Sequence, residues 1–203
     1  MSNVKELLKN GLNEEVKTIL KLAGEVGDLL EVKVYAVGGI VRDLFLSNYI
    51  NDVDIMVVGD GIEFAKRLSK KLGIPKIISF EKFGTAIIPN QSIGIEVASA
   101  RKEVYNNNSR KPEGVFQTDI NGDLKRRDFT INSMAIDIST QNFGEFHDPY
   151  GGLIDLKKKV IRTPLSPDMT FSDDPLRMMR AAYFSSKLKF DIEKSSMQSM
   201  KEQ

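Results

Sequence analysis

The sequence predicts an α+β protein in which a mixed β-sheet follows a helical lead and precedes further helices. Residues 4–23 carry apolar side chains at spacings of three and four, which is typical of amphipathic helices. Residues 32–37 alternate as a strand does, and short apolar runs between residues 53 and 97 are separated by glycine and proline. These three observations give the fold class.

The lead, residues 1–30, is predicted to form one or two helices. Its apolar periodicity is interrupted near Gly11, and Asn13 is a suitable N-cap before Glu14 and Glu15.

The middle of the chain is predicted to form the sheet and two of its helices. The expected helices are 38–47 and 61–72, the second ended by Gly73. The expected strands are 32–37, 53–58, 77–78, 85–88 and 93–97.

Composition excludes several function classes. The 203 residues, 41% of them hydrophobic, can bury a sizeable core. The absence of cysteine excludes disulfides, thiolate zinc sites and cysteine nucleophiles. No apolar run approaches the roughly 20 residues that a membrane span needs, and the N-terminus lacks a signal-peptide core. We therefore expect a protein without membrane partners that resides in the cytoplasm.

Net charge gives no overall attraction to nucleic acid, because 29 basic and 28 acidic residues leave only +1. One basic region, however, extends from Arg101 through Arg110 and Lys111 to Arg127. It is predicted to be either a solvated loop or a local RNA-binding groove.

A glycine turn followed by an arginine is the first functional signal. Gly38 and Gly39 lie where the predicted strand turns into a helix, and Arg42 follows within one helical turn. Glycine lets a phosphate approach the backbone closely, so the pattern suits a nucleoside triphosphate. The alternative is an ordinary turn with a surface Arg42–Asp43 pair.

Two aspartates on the next strand are the second signal. Asp52 and Asp54 are two residues apart, so their carboxylates share one face of the strand. Like charges repel there, and a cation between them relieves the repulsion. Carboxylate and phosphate oxygens favour Mg²⁺. The alternative is a solvated strand end.

A third acid follows on a later strand. Glu96 lies between Ile95 and Val97, so its side chain points to the opposite face. If this strand neighbours the Asp52 strand, Glu96 is a third acid near the metals or a partner for Arg101. The alternative is an exposed strand face.

Further chemistry is predicted around Arg127. The residues after it are apolar, which indicates a helix start or a buried turn, and its guanidinium could hold a triphosphate or ribose while Asp128 holds the arginine. Residues 147–156 are predicted to form a turn between two strands, with His147 structural. A hydrolytic triad is not expected, because the chain has one histidine.

The last motif lies near the C-terminus. Ser172 or Asp173 is predicted to cap a helix that has Pro175 in its first turn. Asp174 and Arg177, three residues apart, either form a salt bridge or present donors and acceptors to the edge of a nucleobase.

Taken together, these segments resemble the class II nucleotidyltransferases, which comprise bacterial tRNA nucleotidyltransferases (CCA-adding enzymes) and their poly(A) polymerase relatives. The resemblance covers about residues 32–190. Its ordered motifs are Gly38–Asp43, Asp52–Asp54, Phe83–Thr85, Ile95–Val97, Arg127–Asn132, Asp148–Gly152 and Asp174–Arg177.

The resemblance implies a polymerase-β-like nucleotidyltransferase head with a mixed β-sheet and flanking helices, residues 31–165, followed by the start of a helical neck, residues 166–203. It implies that Asp52 and Asp54 hold two Mg²⁺ ions for catalysis. The region from Arg101 to Arg127 matches the flexible loop of the family.

The resemblance also implies the nucleotide contacts. Asp174 and Arg177 would read the base of CTP or ATP, with Arg180 close by. The remaining expected nucleotide contacts are Gly38, Gly39, Arg42 and Arg127, and the expected supporting residues are Glu96, Asp128 and Asn132.

The implied activity is template-independent addition of CCA to the 3′ end of tRNA from CTP and ATP. Residues 77–85 are more similar to tRNA nucleotidyltransferases than to the arginine-rich equivalent in bacterial poly(A) polymerases. Poly(A), CC- or A-only addition and a non-catalytic nucleotide- or RNA-binding module are the alternatives. The chain is expected to be a head-domain fragment, and its sequence does not predict an oligomeric state.

Overall fold

A computed structural model describes residues 4–106 and 109–203, and for residues 103–106 and 109–113 it describes the backbone alone. The predicted basic side chains of Arg110 and Lys111, and residues 107–108 of the expected flexible loop, lie outside this description. The chain folds into two compact units: residues 4–100 with 135–147, and residues 101–134 with 148–203.

The α-helices are as follows: α1 (Val4–Gly11), α2 (Glu14–Leu29), α3 (Gly39–Phe45), α4 (Gly61–Lys71), α5 (Ile120–Lys125), α6 (Gly152–Lys158), α7 (Pro167–Asp173), α8 (Leu176–Leu188) and α9 (Lys194–Glu202). Two 3₁₀ turns are described at Glu81–Phe83 and Thr130–Asn132.

The strands are as follows: β1 (Lys33–Val37), β2 (Asp52–Val58), β3 (Ile78–Phe80), β4 (Thr85–Ile88), β5 (Gly94–Ser99), β6 (Arg101–Asn106), β7 (Ser109–Gln117), β8 (Ala135–Asp137), β9 (Phe146–His147), β10 (Val160–Ile161) and β11 (Asp191–Ile192).

The first unit contains the predicted mixed sheet. Among the described residues, seven of its strands are ordered β3-β4-β5-β2-β1-β8-β9. β2 and β5 pair in parallel, whereas the other neighbours pair antiparallel. The predicted α+β class with a mixed sheet and flanking helices is therefore confirmed.

In strand β2, the apolar side chains face the core of this unit, and the two aspartates lie on the opposite face of the sheet. Helix α2 packs on β1, and α4 packs on β4 and β5. Val53, Ile55 and Val57 are buried, and the two-residue period of the strand leaves Asp52 and Asp54 on the other side.

The helical lead forms as its sequence predicts. The break falls between α1 and α2, and the Asn13 side-chain oxygen Oδ1 accepts a hydrogen bond from the Val16 amide at 2.8 Å. Helix α2 continues to Leu29, beyond the predicted end of the periodicity at residue 23. Within the described chain, every helix is too short or too polar to cross a membrane.

The second unit contains the antiparallel pair β6–β7, the parallel pair β10–β11 and helices α5–α9. Phe129 and Phe171 are fully buried, and the Phe129 ring meets Phe184 edge-on with centroids 5.9 Å apart. The core of this unit therefore combines packed aromatic rings with buried aliphatic side chains such as Leu124 and Ile131.

Two local predictions were wrong in this unit. Residues 147–156 lead from β9 into helix α6, because the Asp148 carboxylate accepts hydrogen bonds from the Gly152 and Leu153 amides at 2.6 and 3.0 Å. Ser172 and Asp173 end α7 instead of capping α8. Pro175 is the N-cap of α8, and Asp174 just before it supplies the acceptor, since its Oδ1 accepts from the Leu176 amide at 3.1 Å.

Candidate active site

The turn between β1 and α3 requires glycine at its first position. Gly38 has φ 70° and ψ −123°, a conformation that residues with a Cβ atom rarely adopt. Its carbonyl accepts from the Arg42 amide at 3.1 Å, which closes the first turn of α3. The turn therefore fixes the position on α3 from which the Arg42 side chain projects.

The Arg42 side chain is buried, with 6% of its surface exposed. Its Nε and Nη2 donate to the Asp43 carboxylate at 3.2 and 2.7 Å, and Asn48 donates to the same carboxylate. The Arg42–Asp43 pair weighed in the sequence analysis thus exists, but its guanidinium is not on the surface. Burial together with a two-point contact fixes its orientation.

Gly39 connects this arginine to β2. A Cβ atom at Gly39 would lie 3.7 Å from Arg42 Nη2 and 3.8 Å from Asp54 Oδ2. The glycine backbone, a guanidinium and a carboxylate therefore meet at one place in the first unit, as the sequence predicts.

Three acidic residues occupy neighbouring positions on β2 and β5. In the parallel register Asp52 is opposite Gly94 and Asp54 is opposite Glu96, so the acids share one face of the sheet. A side chain at residue 94 would collide with the Asp52 carboxylate, so glycine leaves that carboxylate room. The condition set for Glu96, that its strand neighbours the Asp52 strand, is met.

The strand register does not bring the three acids together as preformed ligands. Within the described part of the chain, one group of three metal-ligating side chains has its ligand atoms all within 4.8 Å of one another, and it is Asp137, Glu145 and His147. Asp52 and Asp54 offer the hard oxygen ligands that fit Mg²⁺, with Glu96 as their neighbour.

The composition of the group Asp137, Glu145 and His147 suits a metal ion, but two of its side chains already have partners within the protein. Asp137 Oδ1 already accepts from the Ser139 amide and hydroxyl at 2.8 and 2.5 Å. His147 Nε2 lies 3.9 Å from Glu145 Oε1, and the ring packs edge-on against Tyr35.

In the second unit, Arg127 is held by a residue that the sequence analysis did not name. Its Nη2 and Nε donate to Asp123 Oδ2 at 2.9 and 3.1 Å. The expectation that Asp128 holds Arg127 was therefore wrong. The four-residue spacing on a helix, which places Asp123 beside Arg127, was the signal that could have found it.

Asp128 organises a different set of contacts. Its Oδ1 accepts from the Phe129 amide at 2.8 Å and from Asn132 Nδ2 at 3.0 Å, and its Oδ2 accepts from Arg180 Nε at 2.7 Å. Arg180 also lies over the Phe184 ring, 5.2 Å from its centroid. Three of the predicted site residues, Asp128, Asn132 and Arg180, thus form one hydrogen-bonded group.

Arg177 is buried and directed toward backbone carbonyls. Its Nη1 donates to the Thr170 carbonyl at 3.3 Å and its Nη2 to the Arg126 carbonyl at 2.9 Å. Asp174, one helical turn earlier, is half-buried and caps α8 through the Leu176 amide. Both predicted base-reading residues therefore make hydrogen bonds to the backbone of the second unit.

Residues 34–162 match the family described as the Poly A polymerase head domain. An A-adding tRNA nucleotidyltransferase from Geobacter sulfurreducens is 40% identical over 190 residues, which is 93% of this chain and 21% of that protein. The chain belongs to this family.

Solved structures agree with the assignment. A Thermotoga maritima CCA-adding enzyme complexed with tRNA_CCA gives a TM-score of 0.82 at 35% identity, with 98% of this chain and 44% of that one covered. A CCA-adding enzyme in complex with ATP gives a TM-score of 0.84 at 34% identity over the same shares. The chain spans about a fifth of the Geobacter relative and less than half of these structures.

Proposed function

We propose that this chain is the catalytic part of a tRNA nucleotidyltransferase that adds CMP and AMP to RNA 3′ ends from CTP and ATP. The observation that carries the proposal is the convergence at Gly39, where Arg42 Nη2 and Asp54 Oδ2 both lie within 4 Å of the position of a missing side chain. A phosphate can approach a backbone there between a fixed guanidinium and a carboxylate.

Asp52 and Asp54 are the residues that would hold Mg²⁺, and Glu96 adds a carboxylate on the neighbouring strand. When bound, Mg²⁺ neutralises phosphate charge and lowers the pKa of an attacking hydroxyl. The transfer needs no side-chain nucleophile: the RNA 3′-oxygen loses its proton to solvent and bonds to the α-phosphorus while the bond from that phosphorus to the leaving pyrophosphate breaks.

The arginines and the neck carry nucleotide recognition. Arg42, oriented by Asp43, is proposed to contact the triphosphate, and Arg127 is proposed to contact a phosphate or the ribose. Asp174 and Arg177 read the base, because a carboxylate accepts from an exocyclic amine and a guanidinium donates to ring nitrogens and carbonyls. Arg180 lies close to this pair along α8.

Addition of AMP alone is a second candidate. It is suggested by the Geobacter relative, which is named an A-adding enzyme and is 40% identical. The similarity of residues 77–85 to tRNA nucleotidyltransferases disfavours poly(A) synthesis. A non-catalytic binding module has no use for two repelling carboxylates on one strand face.

The test is a calorimetric titration of the four nucleoside triphosphates with Mg²⁺. We expect CTP and ATP to bind more tightly than GTP and UTP by roughly 10- to 100-fold, the discrimination that paired contacts to a base edge provide. Asp174→Ala should remove this preference. Asp168→Ala, which removes an exposed carboxylate on the preceding helix, is the matched control and should keep it.

Each outcome of the titration decides between the candidates. Binding of ATP without CTP favours the A-adding function. Equal binding of all four nucleotides by the native chain contradicts base reading by Asp174 and Arg177.

The division of the chain into lead, head and neck stays a prediction, and so does a cytoplasmic location.

A further inference from the structure

Asp123 on α5 is a carboxylate that neither the motifs nor the proposed mechanism uses. Its side chain is 1% exposed. Its two oxygens accept hydrogen bonds from two different arginine side chains. Oδ1 accepts from Arg126 Nη2 and Nε at 2.7 and 3.0 Å. Oδ2 accepts from Arg127 Nη2 and Nε at 2.9 and 3.1 Å. A single buried anion therefore orients two adjacent guanidinium groups.

The charge of this group suits an anionic ligand. Two guanidinium groups around one carboxylate leave a net positive charge, and the two arginine side chains are 20% and 19% exposed. Without Asp123 the two cations would repel each other at close range. Burial on its own raises the pKa of the Asp123 carboxyl, but Arg127 and Arg126 hold that pKa below its ordinary value.

Arg127 keeps one edge of its guanidinium for another partner. Nε and Nη2 are engaged by Asp123, whereas Nη1 makes a long contact of 3.5 Å with the Asn132 carbonyl. A planar guanidinium that is held along one edge presents the other in a fixed direction, which is how bidentate anion contacts gain specificity.

The same carboxylate is tied to two further parts of the second unit. Asp123 Oδ1 accepts from the Arg101 amide at 3.3 Å, and Arg126 Nε donates to the Arg101 carbonyl at 2.9 Å, at the start of β6. The Arg126 carbonyl accepts from Arg177 Nη2 at 2.9 Å. The Asp123 group thus links the first residue of the β6–β7 hairpin to Arg127 and to the base-reading Arg177.

We propose that Asp123 is a positioning residue for nucleotide binding: it holds Arg127 by one edge and turns the other toward the phosphate or ribose of the incoming nucleotide. The proposal rests on the contact that the proposed function gives to Arg127. It assigns to Asp123 no direct contact with the nucleotide.

The test is a double-mutant cycle on ATP binding in the presence of Mg²⁺, with Arg127→Gln, Asp123→Asn and the double variant. We expect each single variant to bind ATP about tenfold more weakly or worse, as loss of a charged hydrogen bond does. The double variant should bind no more weakly than Arg127→Gln, because Asp123 acts through Arg127.

Two further variants separate positioning from loss of folding. Asp123→Glu keeps the charge but moves it by one methylene group, so it should fold and still weaken ATP binding. Asp155→Asn is the matched structural control: Asp155 is 2% exposed and accepts from Arg162 Nε at 2.9 Å in the same unit, so its loss should lower stability and spare ATP affinity.

The outcomes distinguish the proposal from the function it rests on. Native-like ATP binding by Arg127→Gln would overturn the nucleotide contact of Arg127 and this proposal with it. Weak binding by Arg127→Gln together with native affinity in Asp123→Asn or Asp123→Glu would overturn the positioning role alone. Losses that add in the double variant would also overturn it.

Discussion

At the scale of single residues, Asp54 and Asp123 show how surroundings give two carboxylates different uses. Asp54 is half-buried on a strand face with Asp52 and Glu96, and its Oδ2 faces the position next to Gly39. Asp123 is fully buried between Arg126 and Arg127. The first carboxylate shares a strand face with two other acids and lies near Arg42, whereas the second is enclosed by two guanidinium groups.

The buried Asp123 should make stability depend on acid pH. Its pKa is lowered below the ordinary 3.8, so the ionised carboxylate stabilises the fold above pH 3.8, and that stabilisation is lost as the pH falls through the folded-state pKa. We expect Asp123→Asn to lower the free energy of unfolding at neutral pH by about 3–5 kcal/mol, the cost of removing one partner of a buried pair. Urea unfolding at a series of pH values measures this.

The difference between native chain and variant should shrink as the pH falls below 3.8. Glu25→Gln is the matched comparison, because a hydrogen bond from Lys71 lowers the pKa of Glu25 on the surface, where an ion pair contributes little. A gap between native chain and Asp123→Asn that does not change with pH would contradict this account of Asp123.

The residue pairs were the least predictable part of the site. Asp52, Asp54 and Glu96 follow from the two-residue period of strands, which is local. The partner of Arg127 was misassigned to Asp128, the adjacent acid, although Asp123 lies four residues earlier, at the spacing of one helical turn. Asp128 instead pairs with Arg180, 52 residues away, and such a distant contact leaves no local signal.

At the scale of elements, the turn between β1 and α3 sets the position of Arg42 relative to Asp54. Gly38 has a conformation that favours glycine, and Gly39 leaves open the space between Arg42 and Asp54. The strand, turn and helix were predictable because each has a local signal in the sequence. The start of α6 was not predicted, because residues 147–156 were interpreted as a turn between two strands. The residue that caps α8 was not predicted, because Ser172 and Asp173 are equally suitable cap residues next to Asp174.

Gly38→Ala should impair both stability and nucleotide binding. An alanine at φ 70° and ψ −123° is strained, which we expect to lower the free energy of unfolding by about 1–3 kcal/mol and to displace Arg42. Gly73→Ala is the matched control: Gly73 also has a positive φ of 73°, with open space around its Cβ position. It should lose stability but keep ATP affinity, as calorimetry and urea unfolding would measure.

Equal losses of ATP affinity in Gly38→Ala and Gly73→Ala would contradict the special role of the first turn. Unchanged stability in Gly38→Ala would contradict the strain argument.

At the scale of the whole molecule, the sheet is built from separated parts of the chain. β8 and β9 join the first unit after residues 101–134, which belong to the second. The sequence predicted the local strands up to residue 97 but not this return, because pairing of β8 with β1 joins residues about a hundred positions apart. The resemblance to a family, which rests on ordered motifs, predicted more of the fold than the periodicity of apolar residues did.

The most direct test of the central claim is transfer of AMP from ATP labelled at its α-phosphate to a tRNA that lacks its terminal adenosine. We expect Mg²⁺-dependent labelling of the RNA by the native chain, and a loss of about a hundredfold or more in Asp54→Asn, since metal-assisted charge stabilisation supplies several kcal/mol. Asp191→Asn, which changes an exposed aspartate on β11, should label as the native chain does. Undiminished labelling by Asp54→Asn, or none by the native chain, would contradict the account.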